Sequence, residues 1–329
     1  MTSTEPIPVT IISGFLGAGK TTFLNKLITR RKNYRLAVIE NEFGEIGIDG
    51  DLVINEKNDL FEMNNGCLCC SLNQDFYALL ESLWAQHDQY DEIVIETTGI
   101  ADPALVAAPF LTDQTVSRYF ELKRVICLVD ARHIETELEV SDEARKQISF
   151  SDILLINKTD LVSLVDVQRI EKLLTALNPF AAVFNASKEN YPFDELISLD
   201  RMKIVQRRPK FSVAPQRVES HSHHNLTSLS FTFQEAFNLQ NFELRMSMFL
   251  AFQASDIYRM KGILRVEGHP CRIIVQSVHN DLAIGFGEKW NDDEKRESRL
   301  VFIGRKLNPE GFERMLKQCL SKSNLSDLI

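Results

Sequence analysis

Residues 14–22 read GFLGAGKTT and follow an apolar run at residues 9–12. Gly14, four further residues, Gly19, Lys20 and Thr21 satisfy the phosphate-loop pattern, and helical character follows it as the pattern requires. Glycines let such a loop curl until its backbone N–H groups face phosphate oxygens, while the lysine adds a positive charge and the threonine hydroxyl can bind Mg²⁺. The stretch therefore predicts a nucleotide phosphate site after the first strand.

Further apolar runs, typical of buried strands, recur along the next part of the chain. They lie at residues 36–39, 93–95, 125–129 and 153–156, with helical patterns between several of them. Strands that alternate with helices indicate an α/β fold with a mostly parallel sheet, covered by helices on both faces. With the phosphate loop, this predicts the sheet of a P-loop nucleotide-binding domain.

The length of 329 residues suggests two domains. Periodicity stops at about residue 207, where a stretch with Pro209, Pro215 and clustered polar residues begins. Beyond it, strand-like and helical patterns return. We therefore predict a P-loop domain over residues 1–207, a linker over 208–226 and a smaller α+β domain over 227–329.

Charge and hydropathy exclude several classes of function. The net charge of −9 provides no overall positive field for nucleic acid or an anionic membrane. Apolar runs are far shorter than the ~20 residues that span a bilayer, and the N-terminus MTSTEPIP lacks the character of a signal peptide. We expect a soluble, cytoplasmic protein that binds neither nucleic acid nor membrane.

A second nucleotide motif follows the strand at residues 153–156. Asn157, Lys158, Thr159 and Asp160 form the N-K-x-D element that recognises guanine. The carboxylate of Asp160 can accept hydrogen bonds from both N1–H and the 2-amino group of guanine, whereas adenine has no such pair of donors. The motif at a strand end, after a phosphate loop, favours GTP over ATP. The parallel sheet and the domain over residues 1–207 are therefore predicted to be those of a P-loop GTPase.

Between these motifs lies the strand-like segment EIVIETTG. Glu96 occupies the strand end where P-loop proteins place a carboxylate for Mg²⁺ or its bound water, and Gly99 could offer a backbone N–H to the γ-phosphate. GTPases usually have Asp at the carboxylate position. No Gln or Arg stands out as a residue that would orient water or stabilise charge, so we expect slow intrinsic hydrolysis.

The segment GCLCC predicts a metal site. Cys67, Cys69 and Cys70 supply three thiols within four residues, and thiolates are preferred ligands of Zn²⁺. Three ligands leave a position open for water, a carboxylate or a client protein, which suits metal delivery. The alternatives are a redox thiol cluster and packing cysteines. Cys127, Cys271 and Cys319 stand singly in apolar surroundings and are expected to fill the core.

Acidic and histidine residues offer further ligands. The segment ENEFGEIGIDG contains Glu40, Glu42 and Glu45 in the region where such proteins have their switch, so these carboxylates either bind a metal or are solvated loop charges. The linker contains three histidines, which form a metal-collecting arm or occur there by accident. These are His221, His223 and His224.

The chain contains five motifs in the order GFLGAGKTT, ENEFGE, GCLCC, ETTGIADP and NKTD. With this order and spacing it resembles the CobW family of GTPases. YRMKGIL, QSVH and LVFIG are similar to the C-terminal domain of that family. The resemblance implies a metal-handling GTPase, related to the nickel and cobalamin maturation GTPases, with zinc or cobalt as cargo.

The resemblance also implies roles for particular residues. Lys20 and Thr21 match phosphate and Mg²⁺ contacts, and Asp160 matches the guanine-recognising residue. The three cysteines match metal ligands, and Glu40 and Glu45 match acidic family positions implicated in metal binding.

The predicted nucleotide site ends with a final element after the strand that follows Asp160. Its residues Asn185, Ala186 and Ser187 depart from the common Ser-Ala-Lys form. The residues predicted to act in catalysis are Lys20, Thr21 and Glu96. The residues predicted to contact the nucleotide are Gly14, Gly17, Ala18, Gly19, Lys20, Thr21, Thr22, Gly99, Asn157, Lys158 and Asp160.

The sequence thus favours a zinc metallochaperone in which GTP binding and hydrolysis control metal capture and release. Its expected partners are GTP or GDP, Mg²⁺, Zn²⁺ and a client metalloprotein, with a homo-oligomer as one form of assembly. One rival is a GTPase that delivers Co²⁺ for a corrin cofactor, because thiolates and carboxylates do not select one metal. The other is a thiol-based metal or redox sensor with a structural nucleotide site.

Overall fold

The computed structural model describes residues 5–40, 59–62, 74–201, 204, 226–253, 256–278, 280–291 and 294–321. The chain divides into two compact units, residues 1–204 and 205–329. Several predicted features lie outside the described residues. They are Glu42, Glu45, Cys67, Cys69, Cys70, His221, His223, His224 and the linker except Leu226.

The first unit alternates strands and helices. Its strands are β1 (Ile7–Gly14), β2 (Leu36–Glu40), β3 (Asp59–Glu62), β4 (Glu92–Glu96), β5 (Phe120–Asp130), β6 (Ile153–Asn157) and β7 (Ala182–Asn185). Its helices are α1 (Lys20–Arg30), α2 (Gln74–Ala85), α3 (Pro103–Thr112), α4 (Gln114–Tyr119), α5 (Ile134–Val140), α6 (Asp142–Phe150), α7 (Leu164–Leu177) and α8 (Phe193–Ser198).

In the described part of this unit, the strands form one parallel sheet in the order β3-β2-β4-β1-β5-β6-β7. β4 and β6 are buried along their whole length, as expected for a parallel sheet with helices on both faces. The predicted α/β fold of a P-loop GTPase is confirmed. β1 lies between β4 and β5, and the carboxyl ends of strands at such a central point form the usual crevice for ligands in α/β sheets.

Helix α1 packs on one face of the sheet through a single apolar stripe. Its buried residues Phe23, Leu24, Leu27 and Ile28 belong to one core cluster with sheet residues such as Ile12. This burial fixes the direction in which the loop between β1 and α1 must turn. The phosphate loop is therefore held at both ends by the core.

A buried ion-pair network lies near the amino end of β4, away from the carboxyl ends of the strands. Glu92 accepts a hydrogen bond from Arg124 Nη1 at 3.2 Å and is also paired with Arg31. Arg124 donates in turn to Ile197 O at 3.0 Å and Leu199 O at 2.8 Å. The network attaches the last part of this unit to its central strands.

The second unit is an antiparallel sheet with helices. It contains β8 (Leu226–Phe233), α9 (Leu239–Phe252), β9 (Ile257–Leu264), β10 (Cys271–Val278), β11 (Asp281–Lys289), β12 (Ser298–Arg305) and α10 (Pro309–Lys317). Its described strands have the order β11-β10-β9-β12-β8. Residues of α9 and α10 share one apolar cluster with this sheet, which makes the unit α+β as predicted. β8 begins at Leu226, the last residue that we assigned to the linker.

The three single cysteines differ in burial. Cys127 and Cys319 are buried, as expected for core residues, but Cys271 is only half-buried at the start of β10. Among the helices that the structure describes, none is both long and apolar enough to cross a membrane.

Candidate nucleotide site

The phosphate loop turns through three glycines in the left-handed backbone region. Gly14, Gly17 and Gly19 have φ angles of 138°, 74° and 98°. A Cβ atom on Gly14 would lie 2.4 Å from Leu128 O, and one on Gly19 would lie 2.6 Å from Asn157 Nδ2. Glycine is therefore required for conformation and also for close approach to β5 and to the N-K-x-D segment.

Helix α1 begins directly at Lys20, and among the described residues no side chain caps its N-terminus. Backbone N–H groups of the first turn are thus directed at the loop, and the helix dipole adds partial positive charge there. Lys20 is 9% exposed, and its Nζ donates to Phe15 O of the loop at 3.3 Å. This arrangement suits an anion such as phosphate. Thr22, also predicted to contact the nucleotide, is exposed in the first turn of α1.

Two residues predicted from separate motifs meet beside the loop. Thr21 Oγ1 donates to Glu96 Oε1 at 2.9 Å, and Glu96 is the last residue of β4. A hydroxyl and a carboxylate in contact form an oxygen donor set of the type that holds Mg²⁺. Gly99 follows closely: a Cβ on Gly99 would lie 2.5 Å from Leu16 Cδ2 and 2.7 Å from Leu16 N, so its backbone adjoins the phosphate loop.

The N-K-x-D segment is bonded to the same loop. Asn157 Nδ2 donates to Ala18 O at 2.9 Å, and Lys158 Nζ donates to Gly17 O at 2.5 Å. Lys158 has a left-handed backbone with φ of 59°, and its N–H bonds Asn157 Oδ1 at 2.9 Å. The segment that follows β6 is therefore placed by contacts with the phosphate loop, 139 to 141 residues earlier in the chain.

Asp160 is oriented by a residue that the sequence analysis did not include. Its Oδ1 accepts a hydrogen bond from Lys188 N at 3.0 Å. Lys188 and Glu189 have φ angles of 48° and 61°, which are unusual for residues other than glycine and are enriched at functional sites. An ion pair between Glu189 and Lys26 of α1, at 2.9 Å, contacts this turn.

The final element, residues 185–187, is bonded to β6 and to the N-K-x-D segment through the backbone of Ala186. Ala186 N donates to Ile156 O at 2.7 Å, and Ala186 O accepts from the N and Oγ1 of Thr159 at 3.1 and 2.8 Å. Its backbone thus joins β7 to the N-K-x-D segment. The contact to the Asp160 carboxylate comes from Lys188, one residue beyond Ser187. Only the left-handed backbone of Lys188 and Glu189 distinguishes that position.

Asp130, the last residue of β5, is a second residue that sequence analysis missed. It is buried and accepts from Lys158 Nζ at 2.8 Å, from Arg132 Nη2 at 3.1 Å and from Arg132 N at 2.9 Å. Burial would raise the pKa of Asp130, but hydrogen bonds from Arg132 and Lys158 outweigh it and lower the pKa to about 2. Asp130 is therefore an anion that holds Lys158. Its signal in the sequence is a carboxylate at a strand end, as at Glu40 and Glu96.

Glu137 of α5 belongs to the same electrostatic environment. Burial and the charge of Asp130 raise its pKa to about 7, although the cations Lys158 and Lys20 act in the opposite direction. Cys127 of β5 is buried, and burial raises the pKa of its thiol to about 12. That thiol is neutral and buried, so it is unsuited to bind a metal.

The predicted metal ligands are only partly described. Glu40 ends β2 and is the parallel-register partner of Glu96 in β4. Glu45, Cys67, Cys69 and Cys70 lie outside the described residues. In the described ranges, no group of three or more His, Cys, Asp or Glu residues is arranged to hold a metal ion.

A phosphate loop at the central strand, a Thr–carboxylate pair beside it and an N-K-x-D segment bonded to it define a P-loop GTPase. The particular family follows from comparison with known proteins. The chain belongs to the CobW/HypB/UreG family: residues 8–185 match its nucleotide-binding domain, and residues 226–320 match the CobW C-terminal domain. The family resemblance stated from the motifs is confirmed.

Individual relatives agree with this assignment. The zinc chaperone YjiA of Escherichia coli K12 is 30% identical over 93% of this chain and 96% of its own length. The zinc-regulated GTPase metalloprotein activator 1 of Schizosaccharomyces pombe is 34% identical over 60% of this chain and 50% of its own length. The crystal structure of Zn(II)-bound YjiA GTPase from E. coli superposes with a TM-score of 0.75 at 27% identity, covering 97% of this chain and 100% of that one.

Proposed function

We propose that this GTPase is a zinc metallochaperone in which the nucleotide state controls the capture and release of Zn²⁺. The observation that carries the proposal is the pairing of Glu40 with Glu96 in adjacent strands. Glu96 bonds the hydroxyl of Thr21 in the phosphate loop, while Glu40 is the described member of the predicted zinc ligands. Paired residues of neighbouring strands lie about 5 Å apart, so a rearrangement at one predicted site acts directly on the other.

The nucleotide part of the proposal assigns the phosphates to the loop and its helix. Lys20 and the N–H groups at the start of α1 bind phosphate oxygens, and Thr21 with Glu96 holds Mg²⁺ or its bound water. Mg²⁺, when bound, neutralises charge on the β- and γ-phosphates. Asp160 accepts the two donors of guanine, and its hydrogen bond from Lys188 N orients it for that purpose.

The zinc part of the proposal rests on residue types and on relatives. Cys67, Cys69 and Cys70 supply thiolates, and Glu40 and Glu45 add carboxylates, which together are suitable zinc ligands. The E. coli relative is named a zinc chaperone, and the S. pombe relative a metalloprotein activator. We therefore propose Zn²⁺ as the cargo and a metalloprotein as the client.

Coupling between the two ligands is the testable core of the proposal. A segment ordered by the γ-phosphate brings thiolates and carboxylates into one geometry, and hydrolysis releases them. GTP then tightens zinc binding, and linkage requires that zinc tighten GTP binding by the same factor. Typical couplings between sites correspond to roughly 5- to 150-fold.

The test is a competitive zinc titration, with a chromophoric chelator, of the nucleotide-free, GDP-bound and non-hydrolysable-GTP-bound protein. We expect one tight site that is strongest with the GTP analogue. Replacement of Cys67, Cys69 and Cys70 by Ser should abolish that site, while the matched control Cys271→Ser, outside the motif, should retain it. Equal zinc affinity in all three states would refute the coupling, and tight binding by the triple variant would move the site elsewhere.

The rival functions are tested by the same titration with Co²⁺, by thiol oxidation and by GTP turnover with and without metal. Stronger retention of Co²⁺ than of Zn²⁺ would favour cobalt delivery. Thiols that oxidise reversibly without a tight metal site would favour a redox sensor, as would turnover that is indifferent to metal. We also propose a cytoplasmic location, because three neighbouring thiols remain reduced there. We also propose that the GTPase domain ends near residue 207 and that the second domain starts at Leu226, where β8 begins.

A further inference from the structure

The outer strand of the second unit's sheet, β11, has an open edge. In the described part of the chain it pairs only with β10, and it is half-buried or exposed along its whole length, whereas β9, β10 and β12 are largely buried. The edge of a sheet presents unpaired N–H and C=O groups that can bond another strand. Such edges are commonly protected by charged residues or proline, yet residues 282–287 read LAIGFG and contain neither.

The hairpin that joins β10 to β11 determines which backbone groups face the open edge. Val278 and Asp281 are register partners, so the turn between them has two residues. The pair that closes a two-residue turn exchanges hydrogen bonds, and hydrogen-bonded pairs then alternate along the antiparallel ladder. The N–H and C=O groups of Leu282, Ile284 and Phe286 therefore point away from β10. The register with β10 shifts only beyond Phe286, so the strand is regular over these residues.

The side chains of the same three residues form an apolar row. Leu282 and Ile284 pack against the apolar cluster that contains residues of α9. Residues two apart in a strand point to one side of the sheet, so Phe286 lies on that side as well. Phe286 is 67% exposed, and Leu282 and Ile284 are only half-buried. Packing inside the unit therefore leaves much of this row uncovered.

The open edge of β11 is complementary to itself. When two copies of the strand pair antiparallel about a two-fold axis at Ile284, this residue faces its own copy, and Leu282 faces Phe286 of the second copy. Every residue whose backbone groups point outward is then hydrogen-bonded, and each of these cross-strand pairs is apolar. An axis at Gly285 would instead place Leu282 opposite the carboxylate of Glu288. The sequence of the strand therefore favours one register, with a second copy of the same strand as the partner.

Gly285 gives an independent indication that a second backbone approaches this strand. A Cβ on Gly285 would meet no described atom within 4 Å, and its φ angle is not positive, so neither packing nor backbone conformation inside the chain requires glycine. Glycine inside a strand weakens it and often marks the close approach of another backbone. In the two-fold pairing, Gly285 faces Ala283 of the second copy, and both residues are small enough to allow that approach.

We propose that β11 is a homodimer interface: two copies of this chain join their five-stranded sheets through antiparallel β11 edges, with Ile284 on the two-fold axis. The interface does not depend on nucleotide or zinc, because none of its residues belongs to either predicted site. It uses few residues of each copy, so the dimer is weak and exchanges with the monomer.

The test is sedimentation velocity of the full chain in EDTA without nucleotide, so that neither metal nor GTP mediates association. We expect the wild type to pass from monomer to dimer between about 1 and 100 μM. Ile284→Lys and Ile284→Glu each place two like charges opposite one another on the axis, so each variant alone should dimerise roughly 10-fold more weakly or worse. An equimolar mixture of the two variants should regain the dimer, because Lys then faces Glu.

Phe286→Asp is a second disruptive variant at an exposed position, and it decides the matter if the Ile284 variants do not fold. Its matched control is Phe252→Asp at the end of α9, where Phe252 is 83% exposed and lies outside the interface. Phe286→Asp should weaken the dimer while Phe252→Asp leaves it unchanged, and both should unfold at the wild-type temperature. A wild type that stays monomeric would overturn the proposal in favour of a strand from another protein at this edge. A dimer that Phe286→Asp leaves intact, or folded Ile284 variants whose mixture associates no better than either alone, would overturn it as well.

Discussion

Asp160→Asn should reverse the base preference of this GTPase, and the structure determines how. Asp160 Oδ1 accepts the N–H of Lys188 at 3.0 Å, and the flanking Thr159 is bonded twice to Ala186 O. After the substitution, only the amide oxygen can accept from Lys188. The amide NH₂ must then occupy the position of the second carboxylate oxygen, where it faces the donors of guanine.

The magnitude follows from the bonds that are lost. Guanine offers two donors, N1–H and the 2-amino group, and a hydrogen bond to a charged acceptor contributes ~1.5–3 kcal/mol. The bond at the NH₂ position is lost and the other bond reaches a neutral oxygen in place of a charged one, so GDP binding weakens by at most roughly 3–6 kcal/mol, which corresponds to about 10² to 10⁴-fold. Xanthine has a carbonyl in place of the 2-amino group, so it can accept from the new NH₂, and XDP affinity should rise.

The assay is calorimetric titration with GDP, XDP and ADP, which avoids hydrolysis. Asp166→Asn is the matched control, since Asp166 accepts from Ser163 Oγ at 2.6 Å in the cap of α7 and lies outside the site. It should leave all three affinities unchanged. Undiminished GDP affinity in Asp160→Asn would refute the assignment of Asp160. Weaker GDP binding without any gain for XDP would refute the orientation that we derive from Lys188.

Three further predictions concern charge. Lys20→Ala should lower GTP turnover by roughly 10²- to 10³-fold, because a fixed charge at the phosphates is lost. The measurement is phosphate release at saturating GTP. Unchanged turnover would place the phosphate site elsewhere. Glu92→Gln should lower the free energy of unfolding, measured in urea, by ~3–5 kcal/mol, because the buried Arg124 loses its carboxylate partner. A loss below ~1 kcal/mol would contradict the network. Burial and the charge of Asp130 raise the pKa of Glu137 from 4.5 to about 7, so the folded state binds that proton more tightly than the unfolded chain. Wild type should therefore lose stability relative to Glu137→Gln as the pH rises from about 4.5 to about 7, and parallel stability curves would disprove this.

Much of the nucleotide site could be predicted because its signals are local. Gly14 and Gly19 occupy positions where the backbone has a positive φ angle that favours glycine. The glycine spacing, the strand before the loop and the helix after it can all be recognised in one short stretch of sequence. Apolar runs separated by helical patterns were sufficient to predict the parallel sheet. The order of the motifs along the chain was sufficient for the family.

Contacts between distant residues required the tertiary structure. Lys188 reaches Asp160 across 28 residues, and Lys158 reaches Asp130 across the same separation. Neither Lys188 nor Asp130 belongs to a motif that the sequence analysis used. Their contacts arise because β5, β6 and β7 are neighbours whose carboxyl ends meet at one edge.

The sequence by itself determined the fold class, the phosphate loop and the likeness to one family, because each depends on residues close together or on their order. Only the tertiary structure decided which strand ends adjoin, as in the pairing of Glu40 with Glu96. The physical reason is that the strands of this sheet share one apolar pattern. Such a pattern buries a strand equally well at several places in the sheet, and the packing of the whole domain selects among them.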